Sequence, residues 1–162
     1  LLPDSKDSTD ASDSPKPVTP QRASYDNWVI DGCPHHGPSL TTTASGGYHA
    51  LWFGERAGVA QVRYGKLDQD GKPGGNVQAR PDARAEHASL LRSEKKLAIV
   101  WRSYDGTAMH LKVWVSVDDG DSFTLKSLAR SEGESDYPRL LSKDGKIFVL
   151  WNTTEKIYVE AL

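Results

Sequence analysis

The sequence predicts an all-β fold, and three observations carry that prediction. Apolar and aromatic residues come in short runs of period two, and five Trp and six Tyr sit in an otherwise polar chain, a composition that suits strands. No stretch holds a helical period. The third observation is an internal repeat of about 50 residues, each unit holding up to four short strands separated by turns. A four-stranded sheet cannot bury both of its faces alone, and radial stacking of such sheets buries them against one another. The expected architecture is therefore a β-propeller built from blades of four antiparallel strands.

The elements follow in order. Residues 1–24, beginning LLPDSKDSTDASDSPKP, are rich in Asp, Ser, Thr and Pro. They hold too little apolar surface to offset the entropy of ordering, and are expected to be a flexible tail or linker. Residues 25–162 form the blades. Three anchors, Pro38-Ser39-Leu40, Ala88-Ser89-Leu90 and Pro138-Arg139-Leu140, open the innermost strands. A turn follows each: Ser-Gly-Gly at 45–47, Ser-Glu-Lys-Lys at 93–96 and Lys-Asp-Gly-Lys at 143–146. Next come strands ending near Trp52, Trp101 and Trp151, whose apolar runs read as covered on both faces. Third strands are expected at 59–64, 110–115 and 156–161, and fourth strands at 76–80 and 123–129.

The blades are thus expected at 38–80 and 88–129, with a partial blade at 138–162 that stops after its third strand. An outer strand at 27–31 precedes the first anchor and has the position to complete the last blade and remove a free edge. Three blades fall short of the usual four to eight. They are expected to be half of a six-bladed ring, completed by a second copy, by another chain or by a longer precursor.

Composition excludes some functions. With 20 basic and 22 acidic side chains the formal net charge is −2, which gives no electrostatic basis for nucleic-acid binding. No apolar run approaches the length of a membrane helix. The chain begins at Leu1 without a signal-peptide pattern and reads as a processed product. Cys33, the single cysteine, cannot form an internal disulfide and leaves the redox compartment undecided.

The stretch Ser116-Val117-Asp118-Asp119-Gly120-Asp121-Ser122-Phe123 follows an alternating strand and reads as a hairpin turn. Asp118 is suited to accept backbone N–H groups, Gly120 to take positive φ, and Phe123 to pack into the blade. The stretch resembles the Asp-box, or bacterial neuraminidase repeat, of sialidase-like propellers: Ser116, Asp118, Gly120, Ser122 and Phe123 meet every defined position of Ser-x-Asp-x-Gly-x-Ser/Thr-Phe/Trp. Lys66-Leu67-Asp68-Gln69-Asp70-Gly71 is a degenerate, shifted version. In that family the box lies at the outer rim of a blade, so the resemblance implies that these acids build the turn.

Resembling enzymes use three arginines to hold a substrate carboxylate, a Tyr nucleophile paired with Glu, and an Asp acid/base. The candidates here are Arg102, just after a central-strand Trp, and Tyr137 and Arg139 at the mouth of an inner strand. Tyr137-Pro138-Arg139-Leu140 is similar to the surroundings of the family's nucleophile. The Arg-Ile-Pro segment that carries its first arginine is absent, so the constellation is incomplete. The first functional expectation is therefore a non-enzymatic binding module with a glycan or protein partner. The alternatives are a sialidase-type hydrolase half completed by another chain, and a metal-handling protein. The resemblance implies a periplasmic or extracellular location.

The metal reading rests on Asp31-Gly32-Cys33-Pro34-His35-His36-Gly37-Pro38. Cys33, His35 and His36 form a soft ligand set suited to copper or zinc. Adjacent histidines in extended chain point to opposite sides, so both reach one ion only if Pro34 and Gly37 impose a turn. His49, His87 and His110, in other strands, are candidate further ligands.

Overall fold

The computed structural model describes residues 20, 22–26, 37–79, 82 and 84–162. The expected outer strand at 27–31 and the ligand set Cys33, His35 and His36 lie outside the described residues. Among those described there are eleven strands and no helix.

The strands form three antiparallel sheets in simple meander order. The first sheet contains β1 (Ser39–Thr42), β2 (Tyr48–Arg56), β3 (Val59–Leu67) and β4 (Pro73–Ala79). The second contains β5 (Ala85–Ser93), β6 (Lys96–Tyr104), β7 (Met109–Ser116) and β8 (Thr124–Ser131). The third contains β9 (Arg139–Lys143), β10 (Lys146–Asn152) and β11 (Ile157–Ala161). These are the three expected units, as radially stacked blades, the last with three strands. The second blade begins at Ala85, three residues before its anchor, because β5 pairs with β6 across a register shift between Glu86 and Ser89.

Turn chemistry fixes the hairpins. Ala57-Gly58 and Asp144-Gly145 both take positive φ at both central residues, the geometry whose twist matches that of the flanking strands. Inner strands β1, β5 and β9 lie side by side. Ser39 Oγ bridges β1 to β5 by accepting from the Leu90 amide at 3.2 Å.

Period two then distributes the core. Leu97, Ala98, Ile99, Val100 and Trp101 are all fully buried. Leu97, Ile99 and Trp101 pack with Leu51, Val62 and Tyr64 of the first blade. Ala98 and Val100 pack with Ile147, Val149 and Trp151 of the third. The central strand is covered on both faces because alternate side chains leave it in opposite directions.

A second device repeats with the tryptophans. The Trp52 indole N–H donates to the Asp26 carboxylate, that of Trp101 to Asp82 at 3.3 Å, and that of Trp151 to the Asp136 carbonyl at 3.1 Å. In the first two blades the residue paired with Trp on the third strand is basic: Arg63 beside Trp52 and Lys112 beside Trp101. Lys112 reaches Asp82 at 2.8 Å. Asp26 is buried and also takes a bond from Arg56, which pins Arg22–Asp26 onto the first blade.

Asp82 makes this device sensitive to acid. Burial alone would raise its pKa, but bonds from Lys112, Ser103, Trp101 and the Arg84 amide outweigh burial and hold it at about 2, against an ordinary 3.8. A folded pKa below the unfolded one stabilises the fold above the unfolded value, and that stability is lost as pH falls toward 2. We expect a loss of about 1–2 kcal/mol over that window once solvent screening is allowed for. Urea titrations from pH 6 to pH 2 should show Asp82→Asn losing correspondingly less stability than the unaltered protein.

Candidate functional site

The 116–123 turn is a closed hydrogen-bonded unit. Ser116 Oγ donates to Asp118 Oδ1 at 2.6 Å and accepts from the Gly120 amide at 2.8 Å. Asp118 accepts from the Ser122 amide at 2.9 Å and from the Ser122 hydroxyl at 2.5 Å. The Ser116 and Ser122 hydroxyls, with that amide, hold its carboxyl well below the usual range. Phe123 stacks on Trp114 and meets Tyr64 edge-on. With its lone pairs spent inside the turn, Asp118 is placed for structure.

Asp119 and Asp121 do something the motif alone did not indicate: they cross to the first blade. Asp119 Oδ1 lies 3.1 Å from His49 Nε2 and 2.9 Å from Arg92 Nε, while Oδ2 accepts from the Ala44 amide at 3.2 Å. Asp121 takes a bond from Lys66 at 2.7 Å. His49 is fully buried, and its other ring nitrogen shares a 2.8 Å hydrogen bond with Tyr64. Burial pushes the His49 pKa down, and Asp119 only partly opposes it. His49 is thus part of an inter-blade latch.

The site candidates Arg102, Tyr137 and Arg139 come together. They line one cleft of about 530 Å³ with Ser135, Asp136, Leu150 and Asn152. A second hollow of about 320 Å³ continues across the mouths of all three inner strands, from Gly37-Pro38-Ser39 past His87-Ala88-Ser89 to Tyr137-Pro138-Arg139. The topology explains the convergence. Each blade starts at its inner strand, so residues at the three anchors gather where those strands begin.

Arg102 leaves the end of β6 and is held on several sides. Its guanidinium donates to the Ser135 carbonyl, approaches Ser135 Oγ at 3.3 Å, and lies 3.6 Å from Glu86. It also sits over the Tyr137 ring, 4.9 Å from the centroid, at cation–π distance. The His87 ring stacks on Tyr137 at 3.5 Å. His87 has φ of 48°, which the register shift in β5 accommodates. Tyr137 remains 41% exposed, so the ring is fixed in place yet open to the cleft. Arg139 is exposed and has no ion-pair partner among the described residues.

Sequence reasoning missed Glu86, Ser135, Asp136 and Asn152. Glu86 is the cross-strand partner of Arg102, and only the register places it there. Asp136 accepts from Asn152 Nδ2 at 2.9 Å, a contact spanning the β9–β10 hairpin. Of the candidate further metal ligands, His49 belongs to the latch, His87 lines the second hollow, and His110 pairs with Asp105 at 2.6 Å. Among the described residues no group of three or more His, Cys, Asp or Glu side chains is placed to hold a metal ion. No described helix is long and apolar enough to cross a membrane.

The chain resembles one solved structure in particular, an alpha-L-arabinofuranosidase (CtGH43) from Clostridium thermocellum ATCC 27405, with a TM-score of 0.51 at 14% identity. The chain is a partial β-propeller. The likeness covers 82% of this chain and 51% of the arabinofuranosidase chain, so the propeller described here spans about half the length of that protein. At this identity the likeness is one of fold. No protein-family model and no curated protein matches the sequence.

Proposed function

We propose that this propeller is a non-enzymatic module of sialidase-like type that binds an acidic glycan in the cleft of Arg102, Tyr137 and Arg139. One observation carries the reading: an exposed cation, a held aromatic ring and several polar groups share one cleft at the inner mouths of the blades. Its volume suits a sugar unit or two. Tyr137, its ring already contacted by His87 and Arg102, offers its exposed edge to the sugar, Arg139 a charge for a carboxylate, and Asp136 and Asn152 polar atoms for hydroxyls. Arg102, already engaged by Glu86 and Ser135, positions Tyr137.

Binding is preferred to hydrolysis because Tyr137 is packed against His87 and Arg102 through its ring. A tyrosine nucleophile needs a base at its hydroxyl, and the groups that engage Tyr137 contact its ring. The Ser116–Phe123 turn supports the sialidase-like type, and with it a location outside the cytoplasm.

The test is calorimetric titration with sialyllactose and, in parallel, lactose. We expect binding of the acidic sugar alone, weakened about tenfold or more in Arg139→Ala, the loss of one charge-assisted contact. Equal affinity for both sugars, or for neither, overturns the reading. Release of free sialic acid that disappears in Tyr137→Phe replaces it with the hydrolase reading.

A further inference from the structure

The repeat makes the two outward faces of the three-bladed unit readable, because each blade position has a counterpart about 50 residues away. Where the second blade meets the third, Leu91, Ala98, Val100 and Val113 face Leu140, Ile147, Val149 and Trp151. Pairing registers transfer the first set onto the third blade as Leu141, Phe148, Leu150 and Val159. They transfer the second set onto the first blade as Leu40, Tyr48, Ala50 and Trp52. Both halves of a blade-to-blade interface are therefore present at the two ends of the unit, each without its complement among the described residues.

Exposure agrees. On the third blade Leu141 is 52% exposed, Val159 60% and Ile157 67%, and register places all three on one face with Phe148 and Leu150. On the first blade Leu40 is 58% exposed. It lines an apolar hollow of about 420 Å³ with Ala50, Trp52, Leu67 and the segment Arg22–Ser24. Exposed apolar faces of this kind mark interfaces.

We infer that the occupant of both faces is a second copy of this chain, docked head to tail so that the third blade of each copy packs on the first blade of the other. The faces differ from one another, so the contact is heterologous, and such contacts close when the rotation per subunit divides the circle. Two three-bladed units give six blades, within the range that closes a propeller. The Asp26 contact to Trp52 does not block docking, because the Asp82 contact to Trp101 coexists with a packed neighbouring blade. This inference does not rest on the glycan reading: Leu150 and Arg139 adjoin both the third-blade face and the Arg102–Tyr137 cleft, but Val159 and Leu40, the positions tested, do not line that cleft.

The experiment is light scattering coupled to size exclusion on the 162-residue chain. The expected mass is twice 17.8 kDa. Val159→Asp and Leu40→Asp should each give a folded monomer, with the strand signal in circular dichroism retained because both residues are exposed within one copy. Val117→Asp, at an equally exposed position in the 116–123 turn, should remain dimeric. Mixing the Val159→Asp and Leu40→Asp proteins should restore association, since one unaltered interface then survives. A monomeric unaltered protein at micromolar and higher concentrations overturns the inference and leaves blades of a longer precursor or of another chain as the occupant. A dimer indifferent to both substitutions overturns it as well, as does open-ended assembly in place of a closed pair.

Discussion

Replacing Trp101 by Ala is expected to lower stability by about 3–5 kcal/mol, the range for truncating a buried aromatic. Trp101 is fully buried, lies in the layer between the first and second blades, and meets Trp114 edge-on. The truncation also leaves Asp82 without its indole donor. A urea denaturation curve should move to a lower midpoint with its slope kept, which reports lost stability without a change in the surface exposed. Trp52 holds the same place in the repeat but faces the open end of the unit and is only partly buried. Its replacement by Ala should cost clearly less in a monomer. Equal losses at the two positions in a monomeric background such as Val159→Asp would contradict the assignment of Trp52 to an outward face.

Gly120→Ala should have the next largest effect, about 2–4 kcal/mol, seen as a Tm lowered by roughly 5–15 °C. Two costs combine. Gly120 has φ of 84°, and a Cβ there would lie 2.0 Å from the Tyr64 hydroxyl and 3.2 Å from a Leu97 methyl. Tyr64 cannot yield freely, because its hydroxyl is bonded to His49 inside the latch. Gly58 separates the two costs. Its φ is 76° but nothing lies within 4 Å of a Cβ there, so Gly58→Ala should show only the backbone cost, about 1 kcal/mol. A Gly120→Ala loss no larger than that of Gly58→Ala would mean that the contact with Tyr64 contributes nothing.

The strands were legible because period-two patterning and turn residues act locally. The runs around Trp52, Trp101 and Trp151 lie in β2, β6 and β10 as expected, and Asp144-Gly145 makes the turn its sequence requires. Boundaries shifted where pairing overrode local pattern. β3 runs on to Leu67 because β2 offers partners down to Tyr48, and β5 starts at Ala85 because Glu86 pairs with Arg102 beyond a bulge. For the cleft, Arg102, Tyr137 and Arg139 could be named from their places beside the anchors and the central Trp. Glu86, Ser135, Asp136 and Asn152 could not, since their nearness depends on the register between strands and the path of the connecting loop.

The sequence by itself determined the all-β class, the three-unit repeat, the alternating burial of the central strands and a self-contained turn at Ser116–Phe123. Each of these depends on neighbours within a few residues or on a period that the chain spells out. Only the tertiary structure decided that Asp119 and Asp121 reach across to His49 and Lys66, that His87 lies on Tyr137, and that Asp82 serves Trp101 and Lys112 together. Those contacts join residues of different strands or blades. They exist because stacking the sheets brings together side chains that no local pattern relates.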